Sequence, residues 1–411
     1  MTDLMNDPTN DPDIILRIAA RGDGVTSDGR HVPGSAPGDR LMPDGGLAFG
    51  PNHVEPVCVH FPECGGCQLQ QLSDDAYADY VHDRVVGALA GQGISATEIA
   101  PAHVSPPRTR RRASLRVQRL GGSVQIGFST QGSHRIIDLH ECHVLEPRLF
   151  ALIAPLRRLF AGMLGKEKTG SVDLTLVDQG VDVVLAGIAP KGLEQTESLL
   201  DFARDQGLAR LMLDGEDGPI TVWEPDPVDI RFGALPVAFP PRAFLQATAD
   251  GEAALIAEVR RGVGPAKMVA DLFAGLGTFA LSIADDVPGR KVYAAEAARD
   301  LLFALKSGGN RLPGRIFPEH RDLFRRPLVP KELDRFDAVI LDPPRAGAED
   351  QVHELAASQT PRIVYVSCNP PSFARDAAAL IAGGYVIDRV KPVGQFRWST
   401  HVELVATFSR V

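Results

Sequence analysis

The chain has 411 residues, enough for two or three domains, and an ordinary globular composition of 44% hydrophobic and 23% charged residues. A formal net charge of −9 excludes a general nucleic-acid coat but leaves room for a local basic patch. No apolar run approaches the roughly 20 residues of a membrane span, and the acidic, polar start lacks the basic residues and apolar core of a signal peptide, so no membrane partner and a cytoplasmic location are expected.

Residues 1–12 read as a disordered tail. Residues 13–57 alternate apolar positions (Ile14, Leu16, Ile18) with Gly and Pro turns, which predicts a few short strands. The cysteines follow: Cys58, Cys64 and Cys67 form a C-x5-C-x2-C cluster, and Cys142 stands alone further on. In a reducing compartment clustered cysteines point to a metal or to catalysis rather than to disulfides. Four thiolates can hold zinc or an iron–sulfur cluster, and the spacing leaves both open. A helix is predicted over 73–89, started by Ser73. From about 104 to 240 the pattern is α+β, with strands expected at 113–118, 124–128, 171–177 and 181–186 and helices near 147–163 and 192–206. Arg108, Arg110, Arg111, Arg112, Arg116 and Arg119 crowd one stretch with few acids. Phosphate contact is the functional reading, a solvated basic face the plain one.

From Phe244 the rhythm changes. A helix over 246–261 leads into apolar runs at 268–273, 292–296, 338–342 and 362–367, each separated by helical sequence, which predicts a parallel doubly wound sheet. The first run ends in Asp271-Leu272-Phe273-Ala274-Gly275-Leu276-Gly277-Thr278, neither a G-x-G-x-x-G fingerprint nor a phosphate-binding P-loop. Glu296, Asp322 and Asp342 fall at the ends of successive strands. One such acid could merely cap a helix, but together they lie where open α/β sheets bind ligands. Cys368, in Ser367-Cys368-Asn369-Pro370-Pro371, follows a strand end on the same side, and Glu403 begins the last apolar run. A lone buried cysteine is usually a small hydrophobe and a strand-edge Glu is usually solvated. As a pair they fit one chemistry. A thiolate adding to carbon 6 of uracil loads carbon 5 with electron density, carbon 5 takes a methyl group, and a base removes its proton so that the thiolate can leave.

The Asp271–Thr278 loop resembles the first motif of class I S-adenosylmethionine (SAM) methyltransferases. From Cys58 onward the chain resembles the RNA (uracil-5-)methyltransferases, most closely their bacterial 23S ribosomal RNA branch. The carrying segments are Cys58 with Cys64-Gly65-Gly66-Cys67-Gln68, Phe244-Leu245-Gln246, the Asp271 loop, Asp342-Pro343-Pro344-Arg345, Ser367-Cys368-Asn369-Pro370 and His401-Val402-Glu403. The resemblance implies a class I SAM-dependent methyltransferase domain, a Rossmann-like doubly wound α/β sheet, over 241–411. It implies an iron–sulfur and central RNA-binding α+β domain over 58–240, and a shortened, β-rich TRAM-like segment over 13–57 whose small barrel cannot close. It further implies SAM contacts from Gln246, Phe273, Thr278, Glu296, Asp322 and Asp342, with Thr278 replacing the family's Asn. Cys368 would be the nucleophile and Glu403 the base. Cys58, Cys64, Cys67 and Cys142 would hold a structural 4Fe-4S cluster. Phe396 and Trp398 could stack the target base or pack the core. Asp342-Pro343-Pro344-Arg345 lacks the Cys of cytosine-5 enzymes and the aromatic of base-N-methylating ones, which favours uracil. The expected partner is 23S rRNA and the expected state a monomer; transfer RNA, or a non-catalytic RNA-binding role on the same fold, are the alternatives.

Overall fold

A computed structural model of the protein describes residues 11–216 and 218–410. The tail expected over 1–12 lies outside the described residues as far as residue 10, whereas Asp11 is anchored by an ion pair with Arg40 at 2.6 Å. Strands Ile15–Ile18, Gly24–Thr26 and His31–Val32 form one antiparallel sheet, and Arg40–Leu41 pairs with Leu47–Ala48 in a separate hairpin. The buried Asp39 carboxylate ties them. It accepts the N–H groups of Ala36 (2.7 Å) and Gly50 (2.8 Å) and meets His53 Nδ1 at 2.7 Å.

In the centre, six strands among the described residues run in the spatial order Gly218–Trp223, Arg210–Gly215, Gly180–Ala186, Thr169–Val177, Arg112–Leu120 and Ser123–Gly127. The two-residue period of a strand explains their placement: Ala113, Leu115 and Val117 point into the core while Ser114 and Arg116 face out. Helices Ile153–Met163 and Gly192–Asp205 bring Leu156, Phe160, Leu199 and Phe202 into the same core.

The C-terminal sheet holds nine strands among the described residues. Its spatial order is Ile316–His320, Lys291–Glu296, Met268–Leu272, Ala338–Leu341, Arg362–Ser367, Glu403–Arg410 and Tyr385–Gly394, with Glu98–Ile99 and His103–Val104 added along the last strand. The first five are parallel, and Glu403–Arg410 pairs antiparallel both to the fifth and to Tyr385–Gly394, so it alone of these seven runs against the rest. The order reverses between Met268–Leu272 and Ala338–Leu341, which opens a crevice at their carboxyl ends.

Two boundaries differ from the sequence reading. Helix Asp74–Ala90, capped by Ser73 Oγ accepting the Ala76 N–H at 3.2 Å, buries Tyr77, Tyr80, Val81, Val85 and Leu89 in the C-terminal core rather than the central one. Its apolar stripe recurs at helical spacing and needs a face to cover. Residues 74–104 therefore pack with the sheet, not with the central unit to which 58–240 was assigned. The helix expected over 246–261 is Ala249–Val263, because Thr248 caps it in extended conformation and leaves Leu245–Ala247 as a buried, non-helical approach. That approach is clamped from the central unit: buried Arg111 donates to Gln246 O (3.0 Å) and pairs with Glu252 at 2.7 Å. Replacing Arg111 with Met leaves the Glu252 carboxylate buried and unpaired, and a melting transition should fall by the equivalent of about 3 kcal/mol. No helix among the described residues is long and apolar enough to cross a membrane.

Candidate active site

A cavity of about 490 Å³ opens at the carboxyl ends of the parallel strands. Gln246, Phe273, Thr278, Glu296, Asp322 and Asp342 all line it. The glycine loop shapes its floor: Phe273 adopts φ +66° and Gly277 φ +91°, and the buried Asp271 holds the turn by accepting the Ala280 N–H at 2.8 Å. Glu296 accepts the N–H groups of Gly275 (2.8 Å) and Ala298 (2.7 Å), one per oxygen, which aims its remaining lone pairs along the cavity wall. Asp322 accepts the Phe324 N–H at 3.1 Å, and the Phe324 ring stands 5.3 Å from that of Phe273 at the rim.

A second cavity, about 460 Å³, adjoins the first and shares Phe244, Arg345, Cys368 and Glu403 with it. Its other walls include Arg110, Arg112, Phe128, Phe396 and His401. Cys368 follows strand Arg362–Ser367, and Glu403 opens the antiparallel strand paired to it, so sheet register sets both at one edge. Arg345 reaches His401 Nδ1 at 3.2 Å, and its carbonyl accepts from Asn369 Nδ2 (2.9 Å) and Ser372 Oγ (3.1 Å).

Acidic groups crowd this junction. Burial pushes the Glu403 carboxyl up to about 7, with Gln395 and Arg112 opposing the rise. Asp342 is driven well above the usual carboxylate range by burial and then by Glu403 and Asp271. Burial, then Glu403 and Asp342, raises the Cys368 thiol, while Arg345 pulls it down. Arg112 lies 4.4 Å over the Phe244 ring and drops to about 10, chiefly through burial, so it stays charged at neutral pH. The chemistry expected above needs both the Cys368 thiol and the Glu403 carboxyl deprotonated. Activity should therefore be lost as pH falls through about 7 and still rise on the alkaline side. A pH profile of kcat/KM checks this, and a flat profile from pH 6 to 8 would contradict the assignment.

The arginine stretch is not the solvated basic face of the plain reading, since only part of it is exposed. Arg111 is committed to Glu252 and Arg119 donates to Leu164 O at 2.6 Å, while Arg110 and Arg112 turn inward to the second cavity, leaving Arg108 and Arg116 exposed. Acceptors far away in sequence hold two of them, the Glu252 carboxylate for Arg111 and the Leu164 carbonyl for Arg119. Phe396 lines the second cavity with the Arg110 guanidinium 5.3 Å from its ring, but Trp398 packs against Cys67 and Val144 and is core. Arg112 and Gln395 escaped the sequence reading as site residues. Arg112 was legible only as one of a basic run. Gln395 lies two residues past Val393, the register partner of Glu403, a signal only the hairpin pairing reveals.

Cys58, Cys64, Cys67 and Cys142 surround one small cavity, with Arg110, Phe128 and Gln70 completing its wall. Among the described residues, no group of three or more His, Cys, Asp or Glu side chains is placed to hold a single metal ion. The four thiols nonetheless face one space. Burial raises Cys58 and Cys64, and lifts Cys67 to about 12. The partly buried Arg110 guanidinium beside them makes no ion pair among the described residues.

A family profile described as tRNA (Uracil-5-)-methyltransferase matches residues 317–411. An uncharacterized RNA methyltransferase of Zymomonas mobilis is 47% identical over 397 residues, covering 97% of this chain and 99% of that protein. A 23S rRNA (uracil(1939)-C(5))-methyltransferase of Halomonas elongata is 30% identical over 426 residues, covering 95% of this chain and 87% of that one. The solved structure of Pyrococcus abyssi tRNA (uracil-54, C5)-methyltransferase in complex with S-adenosyl-L-homocysteine superposes with a TM-score of 0.74 at 23% identity, covering 96% of this chain and 98% of that chain, and at that identity it speaks to the fold alone. The doubly wound sheet is the class I methyltransferase fold that the glycine loop predicts. The chain belongs to the RNA (uracil-5-)methyltransferase family and is an RNA methyltransferase.

Proposed function

We propose that this protein uses SAM to methylate carbon 5 of a uridine in 23S rRNA, working as a monomer. One observation carries the reading: a cofactor-sized cavity and a second cavity of similar volume meet at Cys368 and Glu403, with both walls built from one chain. The methyl donor would occupy the first, held by Gln246, Phe273, Thr278, Glu296 and Asp322. Its sulfonium charge would relieve the crowded carboxyls of Asp342 and Glu403. A uridine flipped out of its RNA would enter the second, against Phe396, Arg110 and Arg112. The Cys368 thiolate would add to carbon 6, carbon 5 would attack the methyl carbon of SAM and release S-adenosylhomocysteine, Glu403 would take the carbon 5 proton, and the thiolate would depart. The ribosomal target is supported by the Halomonas relative. Incubation with labelled SAM, 23S rRNA fragments and tRNA in parallel tests it. Label confined to the ribosomal fragment is expected, and label confined to tRNA would move the target while leaving the chemistry.

The four thiols fit a 4Fe-4S cluster better than zinc. A single ion needs its ligands to converge on one point, whereas cluster ligands stand apart around a volume. A thiolate-bound cluster is also anionic and would balance the otherwise unpaired Arg110. When bound it would cross-link the 58–67 loop to Cys142. Anaerobically purified protein should carry about four iron and four sulfide per chain. Zinc without sulfide would overturn the assignment.

A further inference from the structure

Behind Glu403, outside both cavities, sits Gln395. It is 1% exposed and directly follows strand Tyr385–Gly394. Its amide is fully used. Nε2 donates to Gln246 Oε1 at 2.7 Å and to Glu403 Oε2, and Oε1 accepts the Thr248 N–H at 3.3 Å. These partners fix which way the amide points. Reversed, it would set its oxygen against the Glu403 carboxylate and its amino group against an N–H. The neighbouring helix makes room for it: a Cβ on Gly251 would lie 2.7 Å from Gln395 Cβ. With its carbonyl engaged by Gln395, the Gln246 side chain has only its amino group left for the cofactor cavity that it lines.

We propose that Gln395 is a positioning residue that joins the methyl-donor site to the proton-abstracting site: one amide orients the Gln246 donor toward the cofactor and holds the Glu403 carboxylate against the carbon 5 proton. This rests on the uridine-5 reading of the site. Gln395 touches neither substrate, so its effect passes through its two partners. The charged and titratable groups facing Glu403 are Arg112 from the central sheet and Asp342 and Cys368 from the parallel strands. None of them hydrogen-bonds the Glu403 carboxylate, which leaves Gln395 as its one direct partner among the described residues.

Loss of this hold should slow the last step most, because Glu403 acts only after methyl transfer. The test uses the full chain with 23S rRNA fragments and saturating labelled SAM, read by turnover and by denaturing electrophoresis of the RNA–protein adduct. Gln395→Met, similar in size but without the amide, should turn over roughly 10- to 100-fold more slowly, accumulate methylated covalent adduct, and bind S-adenosylhomocysteine roughly 3- to 10-fold more weakly. Gln395→Glu, with the same shape and no amino group, should accumulate the adduct too, and it carries the test if the Met variant fails to fold. Glu403→Gln serves as the reference. Adduct with Glu403→Gln but none with either Gln395 variant would overturn the positioning role and leave the uridine-5 reading intact. No adduct with Glu403→Gln would remove that reading and the inference with it. A structural role alone would lower stability without trapping RNA on the enzyme.

Discussion

Replacing Cys368 with Ala should lower methyl transfer by roughly 10,000-fold or more while leaving SAM affinity within about 2-fold of the parent. The two effects separate because the first cavity takes its floor and walls from the Asp271 loop, Glu296, Asp322 and Asp342, and Cys368 contributes only where it opens into the second. The alanine removes one sulfur atom from a half-buried turn, so folding should be little changed. The measurements are labelled-methyl incorporation and calorimetric titration of SAM. Activity within 10-fold of the parent would show that carbon 5 is not activated by this thiolate. A protein that bound RNA and never methylated it, with or without Cys368, would match the non-catalytic alternative.

Replacing Glu403 with Gln should lower turnover about 100- to 10,000-fold and trap the enzyme on its RNA, because addition and methyl transfer precede the step that needs the base. The same variant should be more stable than the parent above neutral pH. The folded protein raises this carboxyl to about 7 by burial, so it binds a proton more tightly than the unfolded chain does. Stability from this group is complete below the unfolded value of 4.5 and lost as pH rises through about 7. At pH 8 the charged, active form is the costly one, and a neutral carboxamide should recover on the order of 1–3 kcal/mol. Melting curves at pH 5 and pH 8 check this: the gain should appear at pH 8 and shrink at pH 5. The proposed catalysis thus needs the ionisation state that the fold disfavours, a conflict expected where a general base is buried.

How legible this was in the sequence depended on whether the signal was local. The parallel sheet announced itself because its strands are short apolar runs ending in glycine or acid, and a strand buried on both faces has no other composition. The acids at strand ends and Cys368 followed from the same rule. Helix Asp74–Ala90 was visible through Ser73 and its acidic first turn, but its destination was not, since an apolar stripe does not say which core it covers. The arginines misled for a similar reason: composition records charge, while inward or outward placement depends on strand phase and on partners such as Glu252, far away in sequence. Gln395 was invisible because its role exists only through contacts with Gln246 and Glu403 across a hairpin and a loop.

The most direct test of covalent carbon 5 methylation uses RNA carrying 5-fluorouridine in place of uridine, mixed with the protein and SAM. Fluorine at carbon 5 leaves no proton for Glu403 to remove, so the reaction should stop after methyl transfer, with carbon 6 bonded to sulfur. The account predicts a denaturation-resistant RNA–protein species whose digestion yields the Cys368 peptide bonded through sulfur to carbon 6 of a 5-fluoro-5-methyl-5,6-dihydrouracil ring. Methylation of ordinary uridine-containing RNA with no such species, or an adduct on any other residue, would contradict it.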